Sequence, residues 1–311
     1  MEKTIRIGTR DSELALWQAR HVQQQLEALG YTTELVSVKS TGDLILDKPL
    51  YEMGITGIFT KTLDVAMING AVDIAVHSMK DVPTRLPRGI VQAAVLKRAP
   101  SADILVYNPT ENLENRLKSA ENTIATGSLR RKAQWLHRYP EHHFTDLRGN
   151  VNTRLKKLKE SDWTGAIFAK AGLERIDLIP KNHIELDWMI PAPAQGAMVI
   201  AAMEKDTFCR EACAKLNDPT AAIATSIERE FLSVLEGGCT APIGALAKIE
   251  DRKLHFEAAL FSLDGLKKIG VDRSIDLNKN RNFGSMCATE VLENGGKALM
   301  AEIKATLNTE V

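Results

Sequence analysis

Four polar side chains, His77, Ser78, Lys80 and Asp81, stand in the stretch VHSMKDVPTRLP (76–87), directly behind the apolar run VDIAV. That run suits the middle of a parallel sheet, and Pro83 and Pro87 end it, because a central strand tolerates neither. A lysine and an aspartate side by side put one charge of each sign at the point where a core strand leaves the core. Further cations recur at comparable places: Arg10 with Ser12, Ser128 with Arg130 and Arg131, and Arg148 with Arg154. Each set falls where a strand ends and the next element begins, the position at which open α/β sheets bind ligands. Arginine dominates, and its planar fork grips carboxylates or phosphates at two points. In TGSLRRKAQ and LRGNVNTRLKK a fresh helix follows, so free backbone N–H groups and a helix dipole add to the arginines.

Other candidates carry less. His77 reads as a satisfied histidine at a strand end, and His142–His143 as a surface pair. The helix face LKKLKE (155–160) reads as solvated charge. Cys209 and Cys213 are four apart on a probable helix, which would let them share a metal but better fits two small core residues. Cys239, in EGGCTAPIG, lies just past a helix C-terminus, where the dipole raises a thiol pKa. It reads as a loop thiol and a poor self-activated nucleophile, which leaves permanent covalent attachment open. The chain has no P-loop and no GxGxxG after a strand, so nucleotide binding has little support.

The elements that must position these residues alternate. A strand at 4–10, a helix at 12–29 opened by Asp11 or Ser12, and a strand at 32–40 form a βαβ unit. A helix at 59–70 precedes the strand at 72–78. The pattern resumes with strands at 103–107 and 123–127, a helix at 128–139, a strand at 143–149, a helix at 151–160 and a strand at 163–170. Such alternation predicts mostly parallel sheets with helices on both faces. Breaks at LKRAP (96–100) and IPAPAQG (190–196), with AMVIAAM (197–203) returning to the first sheet, predict two α/β lobes joined by two crossings. From 218 onward a long helix, short alternating strands and a final helix predict an α+β unit. The expected domains are therefore 1–99 with 197–217, 100–196, and 218–311. Two lobes with cationic loops at their strand ends imply a cleft for a polyanion.

Bulk composition fits this organisation. The chain has 311 residues, 44% of them hydrophobic, enough for more than one core. Lys plus Arg equals 40 and Asp plus Glu equals 40, so no global field favours nucleic acid or a membrane surface, and any anion site is local. The first residues hold no apolar signal core and no stretch approaches a membrane span, which predicts a cytoplasmic protein. Four cysteines are too few for a disulfide framework, and no zinc-like spacing occurs.

TRDSELALWQA (9–19), VHSMKDVPT (76–84), TGSLRRKAQ (126–134), LRGNVNTRL (147–155), AGLERI (171–176), PAPAQGA (191–197) and LEGGCTAPIG (235–244) together resemble the successive signatures of the hydroxymethylbilane synthase, or porphobilinogen deaminase, family. The resemblance spans most of the chain in the family's order. It implies three domains, the first two like periplasmic anion-binding proteins, and an enzyme that joins four porphobilinogens head to tail into a linear tetrapyrrole with loss of ammonia. It also implies a dipyrromethane primer on Cys239 through a thioether. Lys80, Thr126, Ser128, Arg130 and Arg131 would hold the primer. Arg10, Ser12, Arg148, Arg154, Arg175 and Gln195 would receive the incoming unit or the growing chain. Asp81 would stabilise the azafulvenium cation left when porphobilinogen loses ammonia. No metal, nucleic acid or membrane partner is implied, and the expected state is a monomer. The chain departs from the family pattern at Thr56, where a lysine is common in a segment (41–58) expected to act as a lid, at Asp11 and Glu13 beside Arg10, and at Gly127 in place of a serine. A solute-binding protein with the same lobes would account for the arginines, but not for Asp81 among them or for the third unit.

Overall fold

The computed structural model describes residues 3–38, 60–109, 113–120, 122–235 and 241–309. The expected lid and Cys239 lie outside the described residues. The chain opens with β1 (Ile5–Thr9), α1 (Glu13–Ala28), β2 (Thr33–Ser37), α2 (Lys61–Ile68), β3 (Ile74–Ser78) and β4 (Ile90–Val95). It crosses to β5 (Asp103–Tyr107), α3 (Leu113–Leu117), β6 (Thr123–Ala125), α4 (Leu129–Arg138), β7 (His143–Thr145), α5 (Val151–Lys159), β8 (Gly165–Ala169), α6 (Lys170–Glu174) and β9 (His183–Glu185). It then returns as β10 (Met198–Met203) and α7 (Thr207–Ala214).

Two five-stranded sheets result, ordered β2-β1-β3-β10-β4 and β7-β6-β8-β5-β9. In each, four strands run one way and one is reversed: β10 is antiparallel to β3 and β4, and β5 to β8 and β9. The reversed strand in each sheet is the first strand after a crossing. The two sheets are thus built on one plan, with β6 and α4 standing in the second lobe where β1 and α1 stand in the first. The helices cover both faces of the first sheet. Ala19 and Val22 of α1 pack on Ile5, Ile7, Ile74, Val76 and Ile200, while Leu63 and Met67 of α2 pack on Ala75 and Ala201. Burial on both faces explains why β3, β5 and β8 read as apolar runs rather than alternations.

The third unit comprises α8 (Pro219–Val234), β11 (Ile243–Glu250), β12 (Lys253–Phe261), β13 (Lys268–Asp276), α9 (Phe283–Val291) and α10 (Lys297–Thr309). Its strands form an antiparallel meander in the order β11-β12-β13, packed through Phe256, Leu254 and Ala258 on Ile227 and Phe231 of α8 and on α9. The expected fold class, two lobes of mostly parallel sheets and a smaller antiparallel unit, is what the chain forms. Strands β4 and β9 and the short helices α3 and α6 had no counterpart in the sequence reading. Two expectations need correction. His142 is buried, accepting a hydrogen bond from Trp135 Nε1 at 3.1 Å, so it is a core residue while His143 is exposed. His77 is not satisfied, because its Nε2 has no hydrogen-bond partner among the described residues.

The crossings are fixed at their contact. Gly196 has φ +86°, and a Cβ there would come within 2.9 Å of the Pro100 carbonyl oxygen, so only glycine lets the two segments touch. Glu228 of α8, fully buried, then binds both. It receives Arg98 Nη1 at 2.6 Å from the first crossing, the Ala194 N–H at 2.6 Å from the second, and the Ala247 N–H of β11 at 2.8 Å.

Candidate active site

Three helix and strand ends converge on the cleft side of the two sheets. Beyond β1, Ser12 caps α1 by accepting from the Ala15 N–H at 3.3 Å; Asp11 instead accepts from Ser37 Oγ. At the equivalent place in the second lobe Ser128 caps α4, accepting from the Arg131 N–H at 3.4 Å, and Thr126 accepts from the Ser128 N–H at 3.3 Å. Both serines therefore serve helix starts, each taking up one first-turn N–H. Beyond β3 the chain makes a single 3-10 turn, Met79–Asp81, which turns Lys80 and Asp81 out of the core while Met79 stays in it. At Gly127 a Cβ would approach the Leu147 carbonyl oxygen to 2.9 Å, which accounts for the absence of a larger residue.

The centre of the cluster is a residue the sequence reading passed over. Asp103, at the first position of β5, is completely buried. It pairs with Arg130 Nη2 at 2.7 Å and with Arg131 Nη2 at 2.8 Å and Nε at 3.0 Å. Burial pushes its carboxyl up, but Arg130 and Arg131 outweigh that and hold it at about 2. Gln195, from the second crossing, donates to Asp103 at 3.0 Å and to the Ser101 carbonyl at 2.7 Å, and its Oε1 receives Lys80 Nζ at 3.2 Å. One chain of contacts thus joins the first lobe, a crossing and the second lobe. The only sequence signal for Asp103 was an acidic residue opening an otherwise apolar strand.

Lys80 is pulled down to about 8 by burial and then by Arg131, against the opposite pull of Asp81 and Asp103. Arg154 falls to about 10 through burial and then Arg131, with Asp81 acting the other way; its Nε donates to the Gly149 carbonyl at 2.8 Å. Arg148 is buried and lowered by the same desolvation. Arg175 is lowered to about 10 by burial, donates to the Gly196 carbonyl at 2.7 Å and lies 5.8 Å from the Trp17 ring of the facing lobe. Arg10 lines a small cavity with Gln18, Thr60, His77, Ser78 and Asp81. Glu13 accepts from Asn152 at 2.7 Å, so this departure from the family pattern links the two lobes.

Lys80, Asp81, Arg130, Arg131, Arg148, Arg154 and Gln195 are therefore brought into one neighbourhood, with Arg10 and Ser12 on its first-lobe side and Arg175 at the crossing. Cations exceed carboxylates there: Lys80, Arg130, Arg131 and Arg154 act on Asp81 and Asp103, and Arg130 Nε is buried with no acceptor among the described residues. That surplus fits a group carrying several carboxylates. Two arginines missed in the sequence complete the frame. Arg98 holds Glu228, and Arg229 of α8 grips the Lys80–Asp81 turn, donating to the carbonyls of Met79, Val82 and Pro83 at 3.3, 2.8 and 2.6 Å.

A two-lobed α/β fold with such a cationic cleft defines an anion-binding enzyme scaffold with an appended α+β unit. The family model described as "Porphobilinogen deaminase, dipyromethane cofactor binding domain" matches residues 5–211, and "Porphobilinogen deaminase, C-terminal domain" matches 222–293. Porphobilinogen deaminases of Nitratiruptor sp. and Moorella thermoacetica are 39% and 40% identical over 310 and 305 residues, each alignment covering 97% of both chains. Among solved structures, the methionine-binding protein MetQ aligns over 73% of this chain and 94% of its own with 11% identity and a TM-score of 0.46. The benzoate-bound effector domain of BenM aligns over 68% and 87% with 12% identity and a TM-score of 0.41. The chain belongs to the porphobilinogen deaminase family. It polymerises porphobilinogen into hydroxymethylbilane and works with a dipyrromethane cofactor. No helix among the described residues is long and apolar enough to cross a membrane.

Proposed function

We propose that the cleft divides its work between two sets of residues, each drawn from both lobes. Lys80, Thr126, Ser128, Arg130 and Arg131 hold the carboxylates of the dipyrromethane, which is attached to Cys239. Arg10, Ser12, Arg148, Arg154, Arg175 and Gln195 receive the incoming unit and the lengthening chain. The observation that carries this reading is the excess of buried or half-buried cations around Asp81 and Asp103. When bound, the dipyrromethane supplies the free α-carbon on which the chain grows. Asp103 and the carbonyls of Ile190 and Ile167 fix Arg130 and Arg131 in place, so that their charge meets a ligand already oriented. Asp81 stands among these cations as a fixed negative charge. It accepts hydrogen bonds from pyrrole N–H groups and stabilises the cation formed as ammonia leaves, an electrostatic role worth most where water is excluded.

The same reading takes 1–99 with 197–217, 100–196 and 218–311 as three domains, supported by the membership of the three sheets. It takes the protein as a cytoplasmic monomer, with Cys209, Cys213 and Cys287 as buried free thiols, in keeping with a reducing compartment. Intact mass spectrometry tests it. The purified protein should exceed its sequence mass by two deaminated porphobilinogen units, and peptide mapping should place them on Cys239. Burial pushes the thiols of Cys209 and Cys213 up to about 12 and that of Cys287 to about 11, so none of them suits the attachment. An adduct on any of those three, or a fully active unmodified protein, overturns the assignment.

A further inference from the structure

Of the four polar residues of the VHSMKD stretch, the reaction above gives no task to Ser78, which accepts a hydrogen bond from Gln18 Nε2 at 2.8 Å, or to His77. His77 is 7% exposed, on the α2 side of β3, and pairs in register with Val199 of β10. A buried imidazole nitrogen is ordinarily hydrogen-bonded, and leaving one unmade costs stability. Yet Nε2 of His77 has no partner among the described residues, although polar side chains surround it. The ring lines a cavity of about 20 Å³ with Arg10, Gln18, Thr60, Ser78 and Asp81. Such a space takes one water or one oxygen of a carboxylate. Burial and then Arg10 lower the ring to about 4, so it carries no charge near neutrality.

We propose that His77 is a substrate-binding residue, whose Nε2–H donates to one carboxylate oxygen of porphobilinogen while Arg10 holds the other. The assignment rests on the porphobilinogen reading of the cleft and names the atom that reads the side arm. A neutral donor beside Arg10 supplies direction without adding a second repelling charge to the empty site. It also leaves the carboxylate easier to release when the chain advances.

The experiment uses the primer-loaded enzyme and measures the first single-turnover addition as a function of porphobilinogen concentration. Glutamine places an amide nitrogen near the position of Nε2, asparagine nearer that of Nδ1, and phenylalanine fills the space without a donor. His77→Phe and His77→Asn should raise the half-saturating concentration by about 10- to 100-fold, the worth of one hydrogen bond to a charged group. His77→Gln should stay within about threefold of the wild type, and all three should keep the plateau rate within about threefold, the scale on which single contacts vary. Unchanged half-saturation in His77→Phe would overturn the proposal, as would equal impairment of Gln and Asn or a loss confined to the plateau. If the phenylalanine variant does not fold, the Gln and Asn pair decides alone. A primer-loaded wild type that consumed no porphobilinogen would instead remove the reading on which the assignment rests.

Discussion

At Asp81 one substitution separates charge from turn geometry. Asp81→Asn keeps the size and an acceptor oxygen, and Asn serves turns and caps nearly as well as Asp. If the carboxylate acts only locally, little changes. If it stabilises the cation formed on loss of ammonia, an ion pair at roughly 4 Å and an effective dielectric of about 20 contributes on the order of 4 kcal/mol. Felt mainly in the transition state, that predicts a fall in single-turnover adduct formation of about two to three orders of magnitude, with the thermal midpoint almost unchanged. Near-normal turnover in primer-loaded protein would remove Asp81 from the mechanism. The arginines were legible as cations because type and position suffice for that. Their counter-ion Asp103 was not, because an acidic residue opening an apolar strand gives no sign of which cations it will meet.

Among the elements, α8 has the widest reach. Its Arg229 fixes the turn that carries Lys80 and Asp81, while its C-terminal end leads into the segment that holds Cys239. One helix therefore holds, through Arg229, the turn that carries the carboxylate proposed to stabilise the cation. Misplacing a reacting group by an ångström costs up to about a hundredfold in rate. Arg229→Gln, which cannot reach three carbonyls at once, should lower single-turnover rate by about 10- to 100-fold with primer still attached, and Arg229→Lys should recover part of it. Wild-type rates in primer-loaded Arg229→Gln would show that the turn holds itself. The helix was plain in the sequence from Asp218, Pro219 and the apolar spacing that follows. Which carbonyls its arginine would cap was not, since they lie 146 to 150 residues away along the chain.

At the scale of the whole molecule the three units meet at Glu228. Its carboxylate is completely buried and joins Arg98, the second crossing and β11. Removing one partner of a buried pair leaves the other uncompensated, at a cost of about 3–5 kcal/mol. Glu228→Gln should therefore lower the calorimetric midpoint by roughly 6–20 °C, scaled from about 2–4 °C per kcal/mol for large domains. A midpoint within a degree or two of the wild type would mean that the crossings are held by packing alone. A second contact braces the other side, where Gly265 with φ +76° brings the β12–β13 turn against α4, its missing Cβ leaving room for the Ala133 carbonyl oxygen. The helix that carries Arg130 and Arg131 thus bears directly on the third unit.

Local rules fixed much of this protein before any folding. Alternating apolar runs and helix caps named most strands and helices, strand-end arginines named the anion cleft, and the successive signatures named the reaction. Those features depend on neighbours in sequence, or on residue types that chemistry restricts. The tertiary structure alone decided which charges pair and which do not. Asp103 gained two arginines, Glu228 gained both crossings, His142 went into the core and His77 was left without a partner among the described residues. Each outcome turns on contacts between residues far apart in the chain. Burial makes those contacts strong, because desolvation penalises any polar group that arrives without its partner.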